Sequence, residues 1–333
     1  MHHFVTGAAG FIGSQLVDDL LARGDAVSGV DDLSLGRRAH LDAAARNAGF
    51  RFFERDISDP AAAADCLRAA CAWQGVPDIV WHLAANSDIA AGCKDAAIDF
   101  RRTLATTFAV IEAAKAHGAR AIAFASTSAV YGERDEALGE DSGRLLPISS
   151  YGATKLAGEA LLSAAAETFL DRMWIFRFPN VVGPRATHGA LFDFIARLAA
   201  QPPALTVLGD GSQRKPYLHV AELIEAMNFI VTRASERRNV FNIGPEGEGT
   251  SVAFMAQRTV ACMRPGTPIS YTGGDRGWVG DVPRFRYSIE RLARLGWRPR
   301  LSSDEAVLRA IDELVDAHLM AARMRPPGEA PTP

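Results

Sequence analysis

An excess of charge of either sign is missing from this 333-residue chain, where 36 Lys and Arg face 39 Asp and Glu, a formal net charge of −3. That balance supplies no basic field for nonspecific binding to nucleic acid. Cysteine is scarce as well. Cys66, Cys71, Cys93 and Cys262 form neither a CxxC pair nor a His–Cys cluster, which argues against a zinc site. Four cysteines in a chain this long make no disulfide scaffold, and buried hydrophobe is their common role. No uninterrupted apolar run reaches the ~18 residues that a membrane-spanning helix needs. The amino terminus, MHHFVTGAAG, lacks the basic segment and apolar stretch of a secretion signal, so a cytoplasmic, reduced setting is expected. RPPGEAPTP (325–333) is rich in Pro without large apolar residues, and a loose tail is expected there.

Apolar material is plentiful. At 48% hydrophobic and 23% charged residues the chain can bury a core and does not read as disordered. At roughly 150 residues per domain, its length suggests one large or two modest domains. Short apolar strands alternate with helical stretches through the first half. Strands are expected at 2–6, 26–31, 50–56, 78–85, 119–127 and 173–178, with helices over 14–24, 60–75, 99–117 and 151–169. Such alternation implies parallel crossover units and a doubly wound sheet covered on both faces. After residue 180 the rhythm changes. Helices are expected over 191–200, 219–234 and 303–323, and VFNIG (240–244) resembles one more sheet strand. The predicted fold class is therefore α/β, a Rossmann-type sheet with a smaller, discontinuous carboxy-terminal lobe. The Rossmann domain takes 1–180 plus about 217–245; the lobe takes 181–216 and 246–324.

TGAAGFIG (6–13) follows the first strand and opens the first helix. Gly7 suits a tight turn, Gly10 lets backbone approach a pyrophosphate, and Gly13 permits close helix–sheet packing. The helix amino terminus adds unsatisfied N–H groups and a positive dipole end. Asp31 closes the second strand 24 residues after Gly7, placed to accept from a ribose diol and to repel a 2′-phosphate. Arg37 and Arg38 could favour NADP, but Asp31 and Asp32 outweigh them, so NAD is the expected cofactor. Asp56 and Ile57 end the third strand and suit an adenine edge and face; Asp56 reads nearly as well as a cap for the next helix. Leu83, Ala84 and Ala85 end the fourth strand, where small residues let a dinucleotide lie across the sheet. His82, just before them, reads as structural.

Tyr151 and Lys155 stand four apart near a helix start, so their side chains share one face. A tyrosine with a reference pKa of about 10 is a poor base near neutrality. A neighbouring ammonium and an oxidised nicotinamide both favour its phenolate. Thr127, at the end of the preceding strand, adds a hydroxyl to share the substrate's proton.

These motifs, with STSAVYG (126–132), RFPNVVGPR (177–185), LGDGSQRKPYLHV (208–220), FNIG (241–244) and RGWVGD (276–281), appear in one order along residues 1–300. In that arrangement the chain resembles an extended short-chain dehydrogenase/reductase of the nucleotide-sugar epimerase/dehydratase family, nearest to the UDP-glucose 4-epimerase type. The resemblance implies that Thr127, Tyr151 and Lys155 form the catalytic trio. It adds Phe11 and Ile12 to the dinucleotide contacts and gives Lys155 a second role at the nicotinamide ribose. Asn180, Lys215 and Arg276 would face the substrate diphosphate; Arg185 and His188 would join them or remain solvated loop residues. A homodimer formed by the helices at 99–117 and 151–169 is also implied, and exposed alanines after Lys155 agree with it.

Four departures from the family pattern stand out. Ser128 and Ala129 replace the Asp-Glu pair that 4,6-dehydratases use for water elimination. Thr103 stands where Asn is usual, Lys215 and Pro216 where Arg and Asp are frequent, and Ser288 where Asp is expected. The leading expectation is NAD-dependent epimerisation at C4 of a UDP-sugar through a 4-keto intermediate. A dehydratase or decarboxylase using the same intermediate is the alternative. A non-catalytic NAD sensor is disfavoured by the intact Tyr151 and Lys155. No metal is expected.

Overall fold

The computed structural model describes residues 1–277 and 282–324. Residues 278–281 of the RGWVGD motif and the expected tail lie outside them. The strands in chain order are β1 (His2–Thr6), β2 (Ala26–Asp31), β3 (Phe50–Glu54), β4 (Ile79–His82), β5 (Ala121–Thr127), β6 (Arg172–Phe178), β7 (Asn180–Val182), β8 (Leu205–Val207), β9 (Arg214–Lys215), β10 (Tyr217–His219), β11 (Arg238–Asn242), β12 (Thr250–Ser251) and β13 (Ile269–Tyr271). The helices are α1 (Phe11–Ala22), α2 (Pro60–Gln74), α3 (Ile89–Lys94), α4 (Ala96–Asp99), α5 (Thr106–His117), α6 (Ser150–Thr168), α7 (Ala190–Ala199), α8 (Val220–Arg233), α9 (Val252–Met263), α10 (Glu290–Leu295) and α11 (Ser303–Met324).

Seven strands form one parallel sheet in the order β11-β6-β5-β4-β1-β2-β3. All five residues of β1 are buried, because a central parallel strand is covered on both faces. Two cores follow from that. Val5, Trp81, Trp174 and Phe176 pack beneath α1 and α8 on one face. Phe4, Val80, Phe124 and Ile175 pack beneath α2, α5 and α6 on the other. The strand order turns back between β1 and β4, the place where such sheets open a crevice at their carboxyl ends.

A third core, with Phe194, Val207, Met255 and Ile311, lies among α7, α9 and α11. Three two-stranded ladders, β7 with β10, β8 with β13 and β9 with β12, frame it. Among the described residues no helix is long and apolar enough to cross a membrane.

The helix expected over 99–117 is not one regular helix. Residues 100–105 form a π-helical turn between α4 and α5. Thr106 Oγ1 there donates to the Arg101 carbonyl, five residues back, at 3.2 Å. Hydrophobic spacing does not reveal a single inserted residue, although such turns recur at functional sites. The short helix α3 is a further addition to the expected elements; Asp88 caps it by accepting from the Ala91 N–H at 3.0 Å.

Candidate functional site

A continuous cavity of about 730 Å³ runs along the carboxyl ends of the sheet into the smaller lobe. That volume is in the upper range of ligand sites. Gly7, Gly10 and Gly13 form its first wall. Gly7 has φ +70°, and a Cβ there would come within 2.9 Å of the Ala84 nitrogen; a Cβ at Gly13 would fall 2.0 Å from the Gly7 oxygen. Only glycine fits both. Gly10 caps α1 without a side-chain hydrogen bond, so the first N–H groups of the helix are left for an anion.

Asp31 is nearly buried at the next step of the wall. Its Oδ2 accepts from the Ala9 N–H at 3.0 Å and its Oδ1 from the Leu33 N–H at 2.8 Å. Burial raises its pKa, and these donors offset part of that. Each oxygen keeps a lone pair for a ribose hydroxyl. Asp32, Phe11, Ile12, Leu83, Ala84 and Ala85 line the same region. Asp56 and Ile57 line it too. The cap of α2 is Asp59, which accepts from the Ala61 N–H at 3.0 Å, so Asp56 does not serve that role. The glycine cradle, uncapped helix end and buried acid together fit a dinucleotide.

His82 is buried between Thr6 Oγ1 at 2.8 Å and Thr107 Oγ1 at 3.0 Å. Burial lowers its pKa to about 3, so it is neutral and structural. Thr103 is fully buried, and its hydroxyl accepts from the Asn86 N–H at 3.1 Å.

Thr127 ends β5, while Tyr151 and Lys155 occupy the first turns of α6. Ser149 caps that helix by accepting from the Gly152 N–H at 3.1 Å, which sets the direction of both side chains. The Tyr151 hydroxyl is hydrogen-bonded to Thr127, yet burial pushes its pKa up to about 12. Lys155 Nζ donates to the Ala125 carbonyl at 2.7 Å and stands 6.0 Å from the Tyr151 ring. Burial brings its pKa down to about 7. All three residues line the cavity. To take a proton from a bound hydroxyl the phenol must first ionise, and a positive charge brought beside it lowers the pKa that burial raises.

The residues expected to face a substrate divide. Asn180, Lys215 and His188 line the cavity. Arg185 is instead drawn to Asp18 on α1, 2.7 Å away, and Arg276 pairs with Glu133 at 2.9 Å. Neither arginine is part of the wall, because each guanidinium has a carboxylate nearby. Sequence reasoning missed Ser34, Gly36, Asp88 and Phe285 on the wall. It also missed Glu159, although a carboxylate four residues beyond Lys155 shares its helix face.

Residues 3–244 match the model of the family described as NAD dependent epimerase/dehydratase. The chain is 32% identical to a UDP-glucose 4-epimerase of Mycolicibacterium smegmatis over 321 residues, covering 94% of this chain and 98% of that one. It is 32% identical to a dTDP-glucose 4,6-dehydratase of Streptomyces griseus over 248 residues, 73% of each chain. The structure of a UDP-glucose 4-epimerase from Thermus thermophilus in complex with NAD superposes with a TM-score of 0.81 at 29% identity, covering 94% of this chain and 98% of that one. With a glycine cradle and buried acid suited to a dinucleotide, and a sequence match across most of its length, the chain belongs to the NAD-dependent epimerase/dehydratase family.

Proposed function

We propose that the protein epimerises C4 of a nucleoside-diphosphate hexose, a UDP-sugar by preference, through a 4-keto intermediate. One observation carries the reading: Tyr151, Thr127 and Lys155 meet in the same cavity as the α1 glycine turn. NAD held along Gly7–Gly13 and Asp31 supplies reversible hydride acceptance. Tyr151 takes the proton of the 4-hydroxyl and later returns it. Thr127 holds that hydroxyl, and Lys155 stabilises the phenolate. Asn180 and Lys215 bind the diphosphate, a cation and an amide donor suiting an anion. In this reading 1–180 with 217–245 hold the cofactor, and 181–216 with 246–324 hold the sugar nucleotide.

Ser128 and Ala129, beside Thr127, offer no acid or base for eliminating water. That favours epimerisation over dehydration, the second reading, which the similarity to the Streptomyces dehydratase keeps open. Purified protein incubated with UDP-, dTDP- and GDP-sugars separates them by mass and proton NMR. Unchanged mass with altered ring couplings supports the epimerase. Loss of one water supports the dehydratase, and no turnover of any sugar retires both.

The same reading places the enzyme in the cytoplasm, as a homodimer. Phe100 in the π-helical turn and Phe108 on α5 are 59% and 48% exposed, and Ala153, Ala160 and Ala164 are exposed on α6. A second copy of this face would cover them. Light scattering at micromolar concentration is expected to give twice 35.7 kDa; a concentration-independent monomer mass excludes the pairing.

A further inference from the structure

Behind Lys155 lies a buried ion pair that this chemistry does not use. Glu159, one turn further along α6, and Arg177 on β6 are 6% and 5% exposed. Arg177 Nε donates to Glu159 Oε1 at 3.0 Å and Nη2 to Oε2 at 2.6 Å. Ser126 Oγ, on β5, donates to the same carboxylate. Ser126 and Arg177 are register partners, as are Arg177 and Asn242, so the three stand in a row across adjacent strands. Arg177 Nη1 also donates to the Tyr131 hydroxyl at 3.0 Å, which donates to Asn242 Oδ1 at 2.7 Å. The carboxylate is held from two strands, β5 and β6.

Burying such a pair costs desolvation that apolar side chains of similar volume would avoid. Its position gives it a use. Ser126 directly precedes Thr127, and Glu159 shares a helix face with Lys155. Other titratable groups also stand near the reacting pair. His82 on β4 is neutral, and Tyr131, its pKa pushed up to about 12 by burial, is neutral as well. Asp99, beside the π-helical turn, acts on Tyr151 and favours its protonated form; burial raises its own pKa, and the Asn86 amide opposes that. Lys155 also lies 4.8 Å from the Phe124 ring, whose face favours a cation weakly. Glu159 opposes the effect of burial on Lys155.

We propose that Glu159 is a positioning residue that sets the proton affinity of the Tyr151–Lys155 pair, with Arg177 and Ser126 holding its carboxylate in place. The proposal rests on Tyr151 and Lys155 being the reacting groups. Removing a negative charge disfavours the protonated pair, so the acid limb of the pH–rate profile moves to lower pH. Removing Arg177 leaves that charge uncompensated and moves the limb to higher pH.

The test is a charge series in the full-length protein. Glu159→Gln is expected to displace the limb downward by about one pH unit or more, and Arg177→Gln upward. The double variant, which buries no lone charge, is expected to shift downward by less than Glu159→Gln, because Glu159 lies on the helix of Lys155. Shifts of the same sign in the two single variants, or none, overturn the proposal, since general loosening of the fold does not follow charge. If the single variants do not fold, the double variant decides, and a limb at the wild-type position overturns it. The phenolate absorbance of Tyr151, taken against Tyr151→Phe, follows the same titration without turnover. If wild type turns over no sugar nucleotide, the functional reading fails, while this titration still tests the coupling.

Discussion

The two ends of the cavity are built by different means. Around α1 the ligand surface is backbone: glycines without Cβ atoms, uncapped N–H groups and one buried acid. Around α6 it is side chains whose pKa values burial displaces, up at Tyr151 and down at Lys155. A backbone site tolerates little steric change but needs few charges. A side-chain site keeps its shape through conservative substitution and loses its chemistry with a single oxygen.

The sharpest break in that comparison is Tyr151→Phe. It should lower turnover by ~10²–10⁴-fold, the usual contribution of a general base, while NAD stays bound. Turnover above about a tenth of wild type, measured with NAD occupancy, would remove Tyr151 from the mechanism. Next is Asp31→Ala, which acts at the backbone-built end. Loss of a charged hydrogen-bond acceptor worth ~1.5–3 kcal/mol should weaken NAD binding roughly tenfold or more and narrow its preference over NADP. Undiminished discrimination against NADP in titration calorimetry would place the ribose elsewhere.

The smallest effects lie in the second lobe. Lys215→Ala, on the cavity wall, should raise the KM for sugar nucleotide about tenfold by losing a charged contact. Arg276→Ala, which breaks an exposed pair with Glu133 worth ~0.2–1 kcal/mol, should change KM by less than about fivefold. Similar KM values for the two variants would mean that Arg276 leaves Glu133 for the substrate.

Much of the first end was legible in the chain. TGAAGFIG between a strand and a helix, and Asp31 at the next strand end, carry their geometry within a few residues of each other. Tyr151 and Lys155 are related by helical spacing, which is also local. The π-helical turn at 100–105 was not legible, because one residue inserted into a helix leaves the hydrophobic spacing on either side nearly unchanged. The paired state of the second-lobe cations was not legible either. Arg185 meets Asp18 across 167 residues, and Arg276 meets Glu133 across 143.

By itself, then, the sequence determined the alternating α/β order, the glycine turn and the shared face of Tyr151 and Lys155. Each follows from backbone dihedrals and short-range periodicity. Tertiary structure alone decided which carboxylate each arginine meets and that Glu159 is clasped by Arg177. Those pairings hold only within a few ångströms: Glu159 reaches Arg177 only when α6 has packed against β6, and Arg185 and Arg276 reach their carboxylates only when segments more than 140 residues apart have met.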